Sequence, residues 1–179
     1  GDFRLTVLKG FKATMDVYQG GIPKLLIDCC SRVVRDFSLW DEVLYFKNDC
    51  GQSKDWIFDQ IILDKSFLTS YGNGRIYRIE EIDEKMTPLS KFPNPKFKTF
   101  KEYFKKQYNV KIKEDKQFMV VAYRKKKEVD ANGKKREVID KIHLVPELLL
   151  PTGLTDEMRN NRHAMRDLAR FTQIPPERR

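Results

Sequence analysis

Residues 97–108 constrain the fold of this chain most, because aromatic side chains and lysines are interleaved there at helical spacing. Phe97, Phe100 and Phe104 recur at intervals of three and four residues, which places them on one face of an α-helix. Tyr103 and Tyr108 fall at the two edges of this face, where a ring can pack while its hydroxyl reaches a polar group. We therefore expect a helix with a buried phenylalanine face and a rim that carries a ligand site.

Positive charge is concentrated around this helix. Residues 91–141 hold 17 Lys and Arg against 7 Asp and Glu, whereas the rest of the chain holds 18 against 19. The formal net charge of +9 therefore arises in this segment. Basic residues interleaved with aromatic ones favour a nucleic acid as partner. A solvated lysine-rich face over an aromatic core fits the same pattern, and composition alone leaves both interpretations open.

The first fifty residues predict two strands and a helix. Alternating apolar residues over 11–17 predict a half-buried strand that ends at Gly20-Gly21, and residues 25–30 could extend a sheet. Ser38 is a suitable N-cap for a core helix over residues 40–46.

The next segment predicts an antiparallel hairpin. Residues 67–71 and 75–79 are strand-like and flank Gly72-Asn73-Gly74, a strong turn signal. Residues 56–63 are apolar but of uncertain type. The acidic run over 80–84 is expected to be an exposed loop rather than a metal site.

Two further strands follow the aromatic helix. Residues 118–123 are rich in β-branched and aromatic side chains, and residues 139–145 form a second such run that should end at Pro146. Between them, the Asn132-Gly133 pair predicts a basic, mobile ribbon over residues 125–136.

The C-terminal segment predicts one helix that begins at Thr155 and is stopped by Pro175-Pro176. Its apolar stripe consists of Met158, Met165, Leu168, Ala169 and Thr172. The helix is expected to be a linker packed against other parts of a longer protein, of which this chain, without an initiator Met or signal peptide, would be a piece.

The sequence offers no catalytic constellation. His143 and His163 have no nucleophile in a recognisable context, and nucleotide-binding glycine patterns do not occur. The three cysteines, Cys29, Cys30 and Cys50, are expected to be reduced, buried thiols, which favours an intracellular protein of the cytoplasm or nucleus. We expect neither enzymatic activity, nor a metal, nor a cofactor.

Four blocks, residues 77–83, 100–108, 144–148 and 152–159, closely resemble the PAZ domain and following linker of Piwi-clade Argonaute proteins. The resemblance covers about residues 67–179 and is looser before them. It implies a mainly β fold with α-helices: a small OB-like β-barrel with an inserted strand-helix module. The implied organisation is an N-terminal linker (1–35), a PAZ domain (36–150) and a C-terminal linker helix (151–179).

The resemblance also implies a partner, the 3′ end of a single-stranded small guide RNA held between barrel and module. Carried over by motif, Tyr77, Tyr103 and Tyr108 would hold the last phosphate, and Arg75 would assist by its charge. Phe92 would contact the terminal base or sugar.

Leu144 and Val145 would line the apolar floor of this pocket. Because Piwi proteins carry guides such as piRNAs that are methylated on the 3′-terminal 2′-oxygen, the floor should accept a methyl group. Contacts to phosphate and sugar carry no base identity, so binding without sequence specificity is expected.

Two residues depart from the Argonaute pattern. Thr69 stands where a histidine is often found, and Gln107 stands where a lysine is often found, so two cations are missing. Lys105 is an additional candidate contact. His143 is either a substitute cation or a strand histidine that faces solvent.

The resulting hypothesis is an RNA 3′-end binding module of a gene-silencing complex, whose other domains would belong to a longer Piwi protein. The alternative is a general basic scaffold that docks on RNA backbone or acidic protein through residues 125–136. A slicer activity would require a catalytic domain beyond Arg179.

Overall fold

The computed structural model describes residues 4–17, 21, 23–129 and 135–172, and the chain divides into two units. We call Phe37–Pro151 the central unit, and the segments Gly1–Asp36 and Thr152–Arg179 together the flanking unit. The interpretation of residues 1–35 and 151–179 as linkers stays a prediction.

The flanking unit contains a long hairpin. Strand β1 (Leu5–Val17) pairs antiparallel with β2 (Pro23–Arg35), from Leu5 opposite Arg35 to Val17 opposite Pro23. The prediction that residues 25–30 extend a sheet is confirmed. The turn at Gly20 lies outside the described residues, whereas Gly21 adopts a left-handed φ of 76°.

The strand over residues 11–17 is confirmed, but its predicted half-burial is wrong. Phe11 and Met15 are 77% and 67% exposed, and the residues between them are exposed as well. Alternation identifies the apolar face of a strand, but burial needs a packing partner. In the described part of this unit, nothing buries these two side chains.

Two helices replace the single predicted C-terminal helix. Thr155 caps α4 (Asp156–Asn160) by accepting a hydrogen bond from the Met158 N–H at 3.2 Å, as predicted. A second helix, α5 (Arg162–Thr172), follows after Asn161, whose side chain accepts the N–H groups of His163 and Ala164 at 3.1 and 3.0 Å. An asparagine that caps the next turn interrupts the helix, which is why periodicity alone missed the break. Pro175 and Pro176 lie outside the described residues.

The central unit begins with helical elements. Helix α1 (Leu39–Asn48) starts at the predicted cap Ser38, which forms a reciprocal capping box with Asp41. The apolar segment of uncertain type is a short helix, α2 (Lys54–Ile57), that runs into a π-helical turn (Phe58–Ile62).

The predicted hairpin is confirmed and belongs to the first sheet of this unit. Strand β3 (Ser66–Thr69) pairs antiparallel with β4 (Ile76–Arg78) on one side and with β8 (Leu149–Pro151) on the other. Gly72 and Gly74 in the connecting loop have φ values of 63° and 60°, a conformation that glycine adopts without strain.

The second sheet contains β5 (Glu81–Asp83), β6 (Met119–Val129) and β7 (Lys135–Leu144) in this order, all antiparallel. The expectation of an exposed acidic loop over 80–84 is therefore wrong for its centre, because residues 81–83 pair with β6 and are half-buried. Strand β7 ends before Pro146, as predicted, and a 3₁₀ turn (Pro146–Leu148) follows. The tip of the basic ribbon, residues 130–134, lies outside the described residues.

Helix α3 (Phe100–Tyr108) lies between β5 and β6 in the chain, and the buried side chains of the central unit form two groups. One group contains residues of α1, the first sheet and one face of β6: Leu39, Val43, Ile57, Ile62, Phe67, Ile79, Val120, Ala122, Leu144 and Leu149. The other group packs under α3: Phe100, Phe104, Ile112, Met119, Val145 and Leu148. The helix is thereby packed against Met119 of β6 and the residues that follow β7.

The mixed fold class, mainly β with helices, is confirmed. The described strands of the central unit form two three-stranded sheets rather than one closed ring of hydrogen-bonded strands. Cys29 is half-buried and Cys30 and Cys50 are exposed, so the three free thiols are not the buried ones that were expected. Among the described residues, no helix is long and apolar enough to span a membrane, and no group of three His, Cys, Asp or Glu side chains could hold a metal ion.

Candidate functional site

A cavity of about 420 Å³ opens in the central unit, where the loop before α3 and the helix itself face the β3–β4 loop and the end of β7. Seven of its seventeen lining residues are Phe or Tyr, and the exposed side chains of Arg75 and Lys141 lie at its mouth. Its lining residues are Thr69, Tyr71, Gly72, Asn73, Arg75, Tyr77, Phe92, Pro93, Phe100, Tyr103, Phe104, Tyr108, Asp140, Lys141, Ile142, His143 and Leu144.

Helix α3 forms one wall of the cavity, and a cap fixes the residue at which it begins. Thr99 accepts a hydrogen bond from the Glu102 N–H at 3.2 Å, and the Glu102 carboxylate accepts one from the Lys98 N–H at 2.7 Å. The helix therefore begins at Phe100, later than the predicted residue 97. Phe100 and Phe104 are buried as expected, whereas Phe97 precedes the helix and is half-buried.

The two tyrosines of α3 converge on one point. Residues five apart lie about 140° apart around an ideal helix, so Tyr103 and Tyr108 leave it in different directions. Their rings nevertheless reach inward from the two edges, and their hydroxyl oxygens are 3.3 Å apart. The helix stays regular up to Tyr108 and ends at Asn109, which has a left-handed φ of 55°.

Tyr108 is held from the opposite side by the β3–β4 loop. Its ring lies 4.9 Å from that of Tyr71, and a Cβ placed on Gly72 would lie 3.2 Å from its Cε1 atom. A side chain at position 72 would thus press on the ring. The loop glycine serves both the turn and this close approach.

Tyr71 is the site residue that the sequence analysis missed. Its ring packs edge-on against Phe104 with centroids 4.9 Å apart, and it lines the cavity. The available signal was the two-residue alternation of the strand, which puts Tyr71 on the same side as Thr69. Burial raises the pKa of Tyr71 well above its ordinary value, and the nearby Tyr77, Tyr108 and Tyr103 raise it further.

The hydroxyls of Tyr71 and Tyr103 remain hydrogen-bond donors at neutral and moderately alkaline pH. Burial, followed by the hydrogen bond with Tyr108, raises the pKa of Tyr103 to about 12. The phenolate of Tyr77 would also disfavour ionisation of Tyr103 and Tyr71, so these phenols lie close enough to interact. Phenols that keep their protons in this way can each donate a hydrogen bond to an anion.

Phe92 comes from the loop before α3. Its ring is stacked on Tyr103, with centroids 4.3 Å apart and planes inclined by 16°, and it meets Phe100 edge-on at 4.9 Å. Phe97 packs edge-on against Tyr103 at 5.2 Å. Tyr103 is thereby fixed between two phenylalanines.

Arg75 and Thr69 lie at the hairpin loop but differ in setting. Arg75 is exposed at the mouth of the cavity, and none of the described carboxylates forms an ion pair with it. Thr69 is buried, and its hydroxyl accepts the Arg75 N–H at 2.9 Å and donates to the Tyr71 carbonyl at 3.2 Å. Its hydroxyl thus ties the two sides of the loop together.

The two proposed floor residues point in different directions, as successive strand residues do. Leu144 is buried and lines the cavity together with Ile142, which the sequence analysis did not single out. Val145 is fully buried among the residues under α3 and does not line the cavity. Lys105 and Gln107 are exposed on α3 and do not line it either.

His143 lines the cavity and is largely buried, with 14% of its side chain exposed, so it does not face solvent. Its Nε2 atom is buried and has no hydrogen-bond partner among the described residues. The nearest carboxylate oxygen, Asp83 Oδ2, lies 3.5 Å away, which permits attraction if the ring is protonated. Its ring centroid is 6.0 Å from that of Phe100.

The charges of β7 at the cavity are partly neutralised. Lys141 lies 3.1 Å from the Glu81 carboxylate, which also accepts a hydrogen bond from Tyr123 at 2.5 Å. The hydrogen bonds from Tyr123 and Lys141 lower the pKa of Glu81, and the bond to Glu81 raises that of Lys141. Asp140 pairs with Lys126 at 2.6 Å. Arg75 is therefore the cation best available to a ligand at the mouth.

The arrangement combines phenol donors around one point, an arginine at the mouth, a stacked aromatic wall and an aliphatic floor. Donors converging from several directions suit a phosphate, and apolar walls suit a sugar or base.

Comparisons with known proteins identify the family that the chain resembles. The sequence model of the PAZ domain family matches residues 43–175. The chain is 30% identical to Piwi-like protein Siwi of Bombyx mori over 179 residues, which cover 99% of the chain and 19% of that protein. It is 33% identical to Piwi-like protein Ago3 of Bombyx mori over 184 residues, covering 98% and 19%.

A solved structure is similar in fold. The crystal structure of Drosophila Piwi matches with a TM-score of 0.52 and 23% identity, over 99% of this chain and 20% of that one. The chain spans about a fifth of the length of the curated relatives that it matches.

Proposed function

The chain belongs to the PAZ domain family, and from this we propose that it binds the 3′ end of a single-stranded small guide RNA in the cavity beside α3. The RNA would enter past Arg75, and its terminal nucleotide would lie among the aromatic side chains. As part of a longer Piwi protein, the module would anchor the guide of a gene-silencing complex without catalysing a reaction itself.

The observation that carries the proposal is the 3.3 Å approach of the Tyr103 and Tyr108 hydroxyls. A phosphate oxygen placed between them would accept both hydrogen bonds. Tyr71 and Tyr77 line the same cavity, so the last phosphate would be surrounded by phenol donors. Hydrogen bonds to an ionised acceptor contribute about 1.5 to 3 kcal/mol each.

Arg75 would add the positive charge that hydroxyls lack. It is exposed and free of described ion pairs, so it can turn toward the phosphate without breaking an existing contact. This would compensate in part for Thr69 and Gln107, which stand where Argonautes often have cations. Binding would then depend more on hydroxyl contacts and less on salt than in a site built from lysines.

The terminal sugar and base would rest on the apolar part of the cavity. The stacked pair of Phe92 and Tyr103 offers an aromatic surface, and aromatic contact with a base contributes about 1 to 3 kcal/mol. Leu144 and Ile142 offer an aliphatic surface for a 2′-O-methyl group. Burying one methyl contributes roughly 0.8 kcal/mol, so a 2′-O-methylated end would bind about fourfold more tightly than a 2′-hydroxyl end.

The test of end recognition uses fluorescence anisotropy with a short, 5′-labelled single-stranded RNA. We expect tight binding of the free 3′-hydroxyl end, and weak binding when the same RNA carries a 3′-phosphate or has its end sealed into a hairpin. Equal affinity for the three RNAs would refute end recognition.

The methyl preference is tested separately by competition between RNAs that differ only in a terminal 2′-hydroxyl or 2′-methoxy group. A several-fold advantage of the methoxy end supports the apolar floor. Ile142→Thr should reduce this advantage more than the overall affinity, because Ile142 lines the floor and is only half-buried, whereas Leu144 is also part of the buried core. An unchanged ratio would place the methyl group elsewhere.

A further inference from the structure

A second cavity, of about 370 Å³, lies in the central unit and shares no lining residue with the proposed RNA site. We call it the aromatic groove; it is formed by α1, α2, the π-helical turn and the residues just before β6. Its base is apolar: Val43 and Ile57 are buried, and the Phe118 ring packs edge-on against Trp40 and Phe58 at 5.6 and 5.2 Å.

Apolar side chains continue onto the surface beside the groove. Leu44 lines the groove and is 36% exposed, and Trp56 and Tyr45 on the same two helices are 37% and 54% exposed. Both rings contact Phe46, at 5.4 Å each. Exposed apolar side chains that cluster around a cavity indicate an interaction site rather than random surface variation.

The rim of the groove is positively charged. Lys47, Lys54 and Lys116 lie around it, and Glu84 is its one described carboxylate. Glu84 is already paired with Lys54, whose Nζ also lies 5.4 Å from the Phe58 ring centroid. Lys47 and Lys116 form no ion pair with any described residue, so two positive charges remain beside an apolar cavity.

We propose that the aromatic groove binds an acidic protein segment, in which an apolar side chain enters the groove and neighbouring Asp or Glu residues contact Lys47 and Lys116. Such a segment is complementary to the groove, because its apolar side chain would contact the edge-packed rings and its carboxylates would contact the free lysines. The partner would be recruited by the chain while the RNA site stays accessible.

A protein segment fits the groove better than a nucleotide does. Apart from the charged rim, Gln52 is the one amide side chain in the lining, so most polar atoms of a base edge would be left without partners. The rings at the base pack against each other by their edges and leave no parallel pair between which a base could stack.

The experiment is a selection of random short peptides on the whole chain, compared with the variant Lys47→Glu/Lys116→Glu. A charge-matched control, Lys9→Glu/Lys12→Glu, changes exposed lysines of β1 instead. The wild type and the control should enrich peptides with an apolar residue flanked by Asp or Glu, and the groove variant should not. Equal enrichment by all three proteins, or enriched peptides without acidic residues, would overturn the proposal.

Tryptophan fluorescence then locates the binding. The chain has two tryptophans, Trp40 in the groove and Trp56 beside it, and none in the RNA site. Titration with an enriched peptide that lacks tryptophan should shift the emission, and the groove variant should weaken its affinity by about tenfold. An unshifted emission would overturn the assignment to the groove.

Two RNA measurements separate this proposal from the proposed function. The groove variant and its control should bind RNA 3′ ends equally, because neither changes the RNA site. A 3′-phosphorylated RNA should not displace the peptide. If this blocked RNA shifts the tryptophan emission and competes with the peptide, the groove is a nucleic-acid surface and the proposal is wrong.

Discussion

Removing one hydroxyl from the α3 tyrosine pair should weaken RNA binding by a predictable amount. In Tyr103→Phe or Tyr108→Phe the ring and its packing remain, and one donor to the phosphate is lost. A hydrogen bond to a charged acceptor contributes about 1.5 to 3 kcal/mol. The free protein also loses the 3.3 Å contact between the hydroxyls, a long bond of roughly 0.5 to 1 kcal/mol, which offsets part of this loss. We expect a net loss of about 1 to 2 kcal/mol, or about 5- to 30-fold in Kd.

The assay is fluorescence anisotropy at fixed salt with a 5′-labelled single-stranded RNA. Tyr45→Phe is the matched control, because Tyr45 is exposed on α1 and does not line the RNA site. The double variant Tyr103→Phe/Tyr108→Phe completes a mutant cycle, in which hydroxyls that share one phosphate should show a non-additive coupling. Affinities of both single variants within twofold of the control would refute a role of these hydroxyls in phosphate binding.

Three further predictions concern the loop residues beside Tyr103 and Tyr108 and the ionisation of Tyr103. Gly72→Ala should lower the free energy of unfolding by about 1 to 2 kcal/mol, because alanine is strained at a left-handed φ. It should also weaken RNA binding, because the new Cβ presses on the Tyr108 ring. The control Gly51→Ala has a φ of 61° and open space around it, so it should cost similar stability without weakening RNA binding. Thr69→Val should cost about 1 to 3 kcal/mol in chemical unfolding, because it leaves the Arg75 N–H without its acceptor, and a cost near zero would contradict this. In a spectrophotometric titration, Tyr103, with a pKa of about 12, should keep its proton from pH 7 to 10, so the wild type and Tyr103→Phe should gain the same phenolate absorbance by pH 10. A smaller gain in the variant would contradict the burial of the Tyr103 hydroxyl.

Elements with strong local signals could be predicted from the sequence. The capping box at Ser38, the glycine-rich turn after β3 and the cap at Thr155 all satisfy backbone hydrogen bonds within a few residues. Such interactions depend on neighbouring residues alone. The corresponding helix starts and hairpin were therefore found.

Features that depend on distant partners could not be predicted in this way. Strand β5 is acidic and has little intrinsic preference for a strand, but it pairs with β6, and Glu81 is satisfied by Tyr123 and Lys141, which lie 42 and 60 residues further along the chain. The exposure of β1 likewise depends on what packs against it, which alternation does not reveal.

The site was found only in part, because its contacts also join residues that are distant in the sequence. Periodicity and resemblance located Tyr103, Tyr108 and Phe92, and the expected convergence of the two tyrosines agrees with the approach of their hydroxyls, but the stacking of Phe92 on Tyr103 was not found. Tyr71 was missed because it precedes a turn and its role follows from contact with α3. Whether each of these residues contacts RNA stays a prediction.

The most direct test of the central claim compares linear and circular forms of one single-stranded RNA as competitors for the chain. The two molecules share sequence, charge and length, and differ only in whether they have ends. The proposed site predicts that the linear RNA displaces a bound, labelled guide and that the circular RNA competes at least about tenfold more weakly, since only backbone contacts remain to it. Equal competition by the circle would contradict 3′-end recognition.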